Sequence, residues 1–293
     1  MKIKQSMGEK SFDAFNITLL VIMSLLALLP LLHVVAGSFS SNNALIQSRV
    51  SFWPVEPTLQ QFKYVVANNT FWRAGWMTVK VVVIATALNM VLTIVGSYPL
   101  SKSYLRGRRG IMLFIIFTMV FQAPLIPTYL VVKELHLINS IWALIVPGAI
   151  SAFNMILCIT FFRNLPEELF DAAKVDGMND YRIVWQIVVP LSKPIMVTLL
   201  LFYAVGHWNS YFAPLLYIND RHLQTLQMYI YFLIAAGSSN DVAAAVAGDT
   251  GGKLLPKALE MATIVLATTP IVILYPFLQK HFVKGATLGS VKE

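Results

Sequence analysis

Charge is what this sequence has least of. Asp, Glu, Lys and Arg make up 12% of its 293 residues, where a soluble domain carries about 25%. Hydrophobic residues make up 57%, and the mean hydropathy is +0.68. A water-soluble globule is thereby excluded, because it would show water far too much hydrocarbon. Cysteine is nearly absent. Cys158 stands alone, which excludes a disulfide within the chain and a metal site built on thiolates. No ionisable carboxylate, lysine or arginine sits at the middle of a long apolar run. Such a group costs at least about 2.5–3.5 kcal/mol and marks ion or proton coupling, so its absence counts against a proton-driven carrier. His-Glu-x-x-His, Gly-x-Ser-x-Gly and paired intramembrane aspartates are missing, which counts against an intramembrane enzyme. Gly248 to Lys253 imitates a phosphate-binding loop, but its glycine-to-lysine spacing is one short and Leu254 stands where Ser or Thr is needed.

What is present is a series of apolar runs. A helix rises about 1.5 Å per residue, so about 20 apolar residues cross a hydrocarbon core. Runs of that length fall at residues 16–35, 78–100, 111–131, 141–162, 194–215 and 259–278. The expectation is an all-α membrane protein, one transmembrane domain over 1–293 with six spans. The first run is too long for a signal peptide's apolar core, so it reads as a retained span.

The net charge of +8 is distributed as topology demands, with no sign of nucleic-acid binding. Lys2, Lys4 and Lys10 precede the first run. Lys102, Arg106, Arg108 and Arg109 fill the loop after the second, and Lys280, Lys284 and Lys292 follow the last. The positive-inside rule puts these segments and both termini in the cytoplasm. Alternation puts loop 163–193 there too. That loop is not basic: Arg163, Lys174, Arg182 and Lys193 face Glu167, Glu168, Asp171, Asp176 and Asp180. Its composition answers to something other than topology. Segment 216–258 is expected outside, with Leu223–Ala236 too short to span and Gly237–Lys253 a flexible loop.

Polar residues inside the runs recur at helical spacing. Thr86, Asn89, Thr93 and Gly96 share a face, as do Thr118, Gln122 and Tyr129, and Ser151, Asn154 and Cys158. Small and polar residues usually serve as glue between membrane helices. The fifth run differs, because Tyr203, His207, Trp208, Asn209, Ser210 and Tyr211 fall within nine residues. Rings stack on sugar faces, and amides and imidazoles hydrogen-bond hydroxyls. Gln122, Asn154, Tyr203, His207, Trp208, Asn209 and Tyr211 are therefore candidates for a polar path. A bridge between helices is the plainer role for His33 and His207.

Loop 163–193 reads as two short helices in water. Pro166 suits a helix start, and Glu167 and Glu168 complement the positive end of the helix dipole. Gly177 supplies a stop, Asn179 or Asp180 a cap for the second helix, and Pro190 its end. Leu169, Phe170, Ala172 and Ala173 offer an apolar side on the first helix, and Tyr181, Val184, Trp185 and Val188 on the second. The pair looks built to dock into a cleft of a partner; an amphipathic loop resting on the bilayer is the alternative.

Asp171-Ala172-Ala173, three residues, Gly177, nine residues and Ile187-Val188-Val189-Pro190 resembles the EAA motif of ABC-importer permeases. Asp171 replaces the family's Glu and Val189 its Leu. Trp208-Asn209 through Asp220 resembles the fifth span of the carbohydrate branch, and the stretch from Gln279 to Glu293 resembles its tail. The likeness covers essentially the whole chain. It points to the smaller permease of maltose-like importers, in the branch linked to lipoprotein-type and acidic-polysaccharide uptake, the second permease of alginate importers among them. The resemblance implies a type I importer fold in a bacterial inner membrane. It implies a second, homologous permease, two ATPase subunits, an extracytoplasmic solute-binding protein and an oligosaccharide substrate. It implies no enzyme activity and no cofactor on this chain, with ATP and magnesium held by the ATPase subunits. Glu167, Glu168, Asp171, Ala172, Ala173, Asp176, Gly177, Met178 and Pro190 would form the ATPase-coupling segment. An acidic, uronate-type substrate follows from the branch; a neutral oligosaccharide and an ion-coupled carrier are the alternatives.

Overall fold

The computed structural model describes residues 7–121, 123–238 and 257–287. Gln122, the look-alike phosphate loop and most of the expected flexible loop lie outside the described residues. All regular elements among the described residues are helical. In chain order they are α1 (Met7–Ser38), α2 (Asn42–Ile46), α3 (Gln60–Ala67), α4 (Asn69–Ser101), α5 (Arg108–Val120), α6 (Leu125–Glu134), α7 (Trp142–Ile145) and α8 (Ala152–Arg163). There follow α9 (Glu167–Val175), α10 (Asp180–Ile183), α11 (Val189–Leu191), α12 (Lys193–Trp208), α13 (Phe212–Tyr217), α14 (Leu226–Ser238) and α15 (Lys257–Thr287).

Two of these, α1 and α4, are individually long and apolar enough to cross a membrane. Run 259–278 falls within α15, whereas three other expected spans are less regular. Run 111–131 is divided between α5 and α6. Run 141–162 is not one helix: α7 stops at Ile145, and α8 starts only at Ala152. Pro147 has no amide hydrogen to give and Gly148 is a poor helix former, so the run breaks there. Run 194–215 ends its helix at Trp208, and α13 is a separate short piece.

The chain groups into two compact units. One holds residues up to Phe71 together with Ile230–Thr269. Here most of α1 shows its side chains to the surroundings, as a lipid-facing helix does. Only its end is covered, where Ala36 packs with Ala44, Leu45, Val50, Ala258 and Met261. A Cβ on Gly37 would collide with the Met261 sulfur, so glycine permits this approach. The segment that follows α1 is knitted locally. Ser40 Oγ donates to Ala36 O at 2.7 Å and accepts from Val55 N at 3.0 Å, and Glu56 pairs with Arg49 at 2.7 Å.

The other unit holds Trp72–Tyr229 and the chain from Pro270. Its main core joins Ile94 and Tyr98 of α4, Cys158 and Phe162 of α8, Phe170 and Ala173 of α9, Val184 and Val188, and Met196 and Leu199 of α12. Gly96 lies so close to Met155 that a Cβ would collide with the methionine tip. Thr86, Asn89, Thr93 and Ser97 form a buried polar stripe down α4. The stretch Leu223–Ala236, expected to be too short to span, is largely α14, which starts at Leu226; Leu226, Met228 and Tyr229 are buried here. Thr78 Oγ1 on α4 accepts from the Leu226 amide at 2.7 Å.

Candidate functional site

Two assemblies carry the candidate residues, both within the second unit. The first is the turn from Glu167 to Met178. Pro166 stands at the N-cap of α9, and Glu167 and Glu168 occupy its first turn. At the other end Gly177 has φ +76°. Its amide donates to Lys174 O at 3.0 Å, and the Met178 amide donates to Ala173 O at 3.0 Å. These two bonds make a Schellman cap, with glycine in the left-handed position and an apolar residue after it. The three-residue spacing between Ala173 and Gly177 is thus the spacing a cap requires. Asn179 Oδ1 then accepts from Arg182 N at 2.9 Å and starts α10.

The faces of α9 differ from the expectation. Phe170 and Ala173 point into the unit's own core and are each 4% exposed, so they are not part of an outward docking face. Met178 packs against the same core. Exposed instead are Glu167, Glu168, Leu169, Asp171, Ala172, Val175, Asp176 and Gly177. The second helix also splits. Val184 and Val188 are buried with Ile183 while Tyr181 and Trp185 are exposed, so the buried face lies to one side of the one expected; Val184–Val188 is itself a π-helical stretch. Pro190 does not end this helix, which runs on to Leu191 and meets α12 at an 88° bend. The π stretch and the proline together account for the bend's position.

Two aromatic–cation contacts hold α9 against the loop after α4. Lys102 Nζ lies over the Phe170 ring, 2.9 Å from its centre, and 5.4 Å from that of Tyr98. Lys174 Nζ lies 5.1 Å from the Tyr104 ring centre. Burial pushes the Lys102 ammonium down to about 8; Lys174 pushes the same way, and Glu167, Asp171 and Asp180 pull it back up. Sequence reasoning counted Lys102 only as a topology charge. Its place directly after a span, where a long side chain folds back over apolar neighbours, was the available signal. Nothing in the sequence pointed to Tyr104.

The second assembly is a polar layer. Asn89 Nδ2 donates to Gly148 O at 3.1 Å and lies 3.3 Å from His207 Nε2. Tyr203 OH and Thr93 Oγ1 are 2.7 Å apart, and the Ser151 amide reaches Tyr203 OH at 3.4 Å. These groups serve the backbone that the break at Pro147 and Gly148 frees. Irregular backbone at membrane depth persists only where protein satisfies it. Of the path candidates, Tyr203 and His207 sit in this layer. Asn154 is buried beside it, its amide reaching Ser151 Oγ at 3.4 Å. Trp208 keeps a buried indole N–H that finds no partner among the described residues. Asn209 and Tyr211 are exposed beyond the end of α12, and Gln122 is not described. Thr78, Val81, Leu144, His207, Ser210, Pro214 and Thr225 enclose a cavity of about 10 Å³. That admits about one water molecule, far less than a sugar.

Among the described residues, the apolar helices, two of them long enough to cross a membrane, and a capped acidic helix between α8 and α12 fit a membrane permease. The chain belongs to the family of binding-protein-dependent transport system inner membrane components, which it matches over residues 10–287. It is therefore a translocation subunit of a binding-protein-dependent transport system. It is 42% identical over 283 residues to Protein LplC of Bacillus subtilis (strain 168), covering 96% of this chain and 95% of that one. It is 39% identical over 288 residues to the polygalacturonan/rhamnogalacturonan transport system permease protein YtcP of the same organism, covering 98% and 100%. Among solved structures, a bacterial ABC transporter involved in the import of the acidic polysaccharide alginate matches with a TM-score of 0.86 at 30% identity, covering 96% of this chain and 100% of that chain. Family membership removes the ion-coupled alternative.

Proposed function

We propose that this chain is one of two homologous permease subunits that import acidic, uronate-type oligosaccharides across a bacterial inner membrane. Six spans and cytoplasmic termini complete the reading. The observation that carries it is the Schellman-capped helix α9, whose free face presents carboxylates around Leu169, Ala172 and Val175. A short rigid helix with a small apolar centre suits the groove of an ATPase subunit. ATP and magnesium belong to that subunit; this chain supplies no phosphate loop. An extracytoplasmic binding protein delivers the substrate. Support for an acidic sugar comes from relatives, since one is named for polygalacturonan and rhamnogalacturonan and another for alginate.

ATPase activity of the complex purified through this subunit, in lipid and with its binding protein, tests the reading. Stimulation by uronate oligomers supports it. Stimulation by neutral oligosaccharides alone refutes the acidic assignment, and the absence of a co-purifying ATPase refutes the coupling assignment.

A further inference from the structure

The long helices nearest α9 in the chain are α8 before it and α12 after α10 and α11, and they are the evident levers for its motion. They share a core with Phe170 and Ala173, but side chains from α4 and the loop after it also grip α9. Phe170 is buried between α9 and the end of α4, with the Tyr98 ring 6.4 Å away and the Lys102 ammonium on its face. Lys174 and Tyr104 make the same kind of contact in the opposite sense, cation from α9 and ring from the loop. A cation held on a ring in a partly desolvated place resists separation more than an exposed pair does.

From that joint α4 runs back as one 33-residue helix. Thr93 and Asn89, on the same helix about two to three turns away, hold Tyr203, His207 and Gly148. The Asn89–His207 contact, at 3.3 Å, is longer than the usual 2.9–3.0 Å of N–H hydrogen bonds. A small shift of α4 along its axis therefore changes whether it is made, while Thr93 carries the Tyr203 hydroxyl with it.

We propose that α4 is a third lever, carrying displacement of the coupling helix from the Lys102–Phe170 joint to the polar layer around Asn89 and Tyr203. Lys102 and Phe170 are positioning residues at this joint. The proposal rests on the reading that α9 docks on an ATPase subunit.

The test uses the full complex in proteoliposomes, with parent, Lys102→Met, Phe170→Leu and the conservative Lys102→Arg and Phe170→Tyr. Uptake per ATP hydrolysed is measured beside melting temperature and ATPase content. Spin labels on α4 and α12, in a Cys158→Ala background, report whether α4 moves when ATP is added. Lys102→Met and Phe170→Leu are expected to keep their ATPase subunits and lose about tenfold in uptake per ATP, the scale of one desolvated cation–π contact. Their ATP-driven shift of α4 falls with it, and Lys102→Arg and Phe170→Tyr retain both. Parent-like coupling and α4 movement in Lys102→Met and Phe170→Leu overturn the lever while leaving docking intact. Loss of the ATPase from those variants also overturns it, because the residues then serve docking. A parent chain that binds no ATPase brings down the docking reading and the lever together.

Discussion

The amide of Met178 donates to the carbonyl of Ala173 across 3.0 Å, closing α9 over Gly177. The bond exists because Gly177 takes a φ of +76°. A side chain there meets nothing within 4 Å, so any penalty is one of backbone conformation. Left-handed geometry costs an L-residue roughly 1–2 kcal/mol. Gly177→Val should lower the melting temperature and abolish coupling of ATP hydrolysis to uptake, while Gly177→Asn keeps most of both. An assembled Gly177→Val complex with normal uptake and substrate-stimulated ATPase contradicts this.

Ala172 and Ala173 are neighbours with opposite surroundings. Ala173 is in the core, so Ala173→Leu overpacks it and costs about 1–3 kcal/mol. Ala172 is exposed, and Ala172→Trp should leave the melting temperature unchanged while preventing the ATPase subunits from co-purifying. Equal thermal effects from the two substitutions would show that the helix is turned otherwise.

Lys102 makes stability depend on pH. Its folded value, near 8, lies below the ordinary 10.5. The folded chain therefore binds fewer protons than the unfolded one between those values, and stability rises with pH across that window. Below about 8 the penalty of burying the charge is fully present. The melting temperature of the parent, relative to Lys102→Met, should climb from pH 8 toward 10.5. A constant difference across that range would refute the assignment.

Asn89→Leu removes the donor to Gly148 O and the contact with His207. It leaves the part-buried His207 imidazole and the Gly148 carbonyl short of partners, at a cost of up to about 1–3 kcal/mol. Tyr203→Phe loses the bond to Thr93, a net contribution of about 0.5–1.5 kcal/mol. Thermal unfolding in a lipid-mimetic should rank them in that order.

Helical class and membrane character were legible, since both follow from apolar run length. So was the cap at Gly177, because Pro, paired acids and Gly are local instructions. The buried stripe of Thr86, Asn89 and Thr93 was legible from spacing alone. The inward turn of Phe170 and Ala173 was not, because an apolar face does not say whether it meets its own core or a partner. The π stretch at Val184 escaped a reading built on 3.6 residues per turn. The break at Pro147 was overridden by the hydropathy around it, and Asn89 and Tyr203, distant in sequence, bond backbone groups it frees. Lys102 was spent on topology, although a lysine at a span's end is also free to reach back over rings.

The opening at Pro147 and Gly148 has a consequence for descent as well as for motion. Asn89 and Tyr203 hold their places partly because the backbone elsewhere is interrupted. In a relative whose corresponding helix runs unbroken, those carbonyl and amide groups bond within the helix, and the amide and phenol lose that constraint. Positions 89, 147, 148 and 203 should therefore change together across lineages, a correlated history set by one gap in a helix.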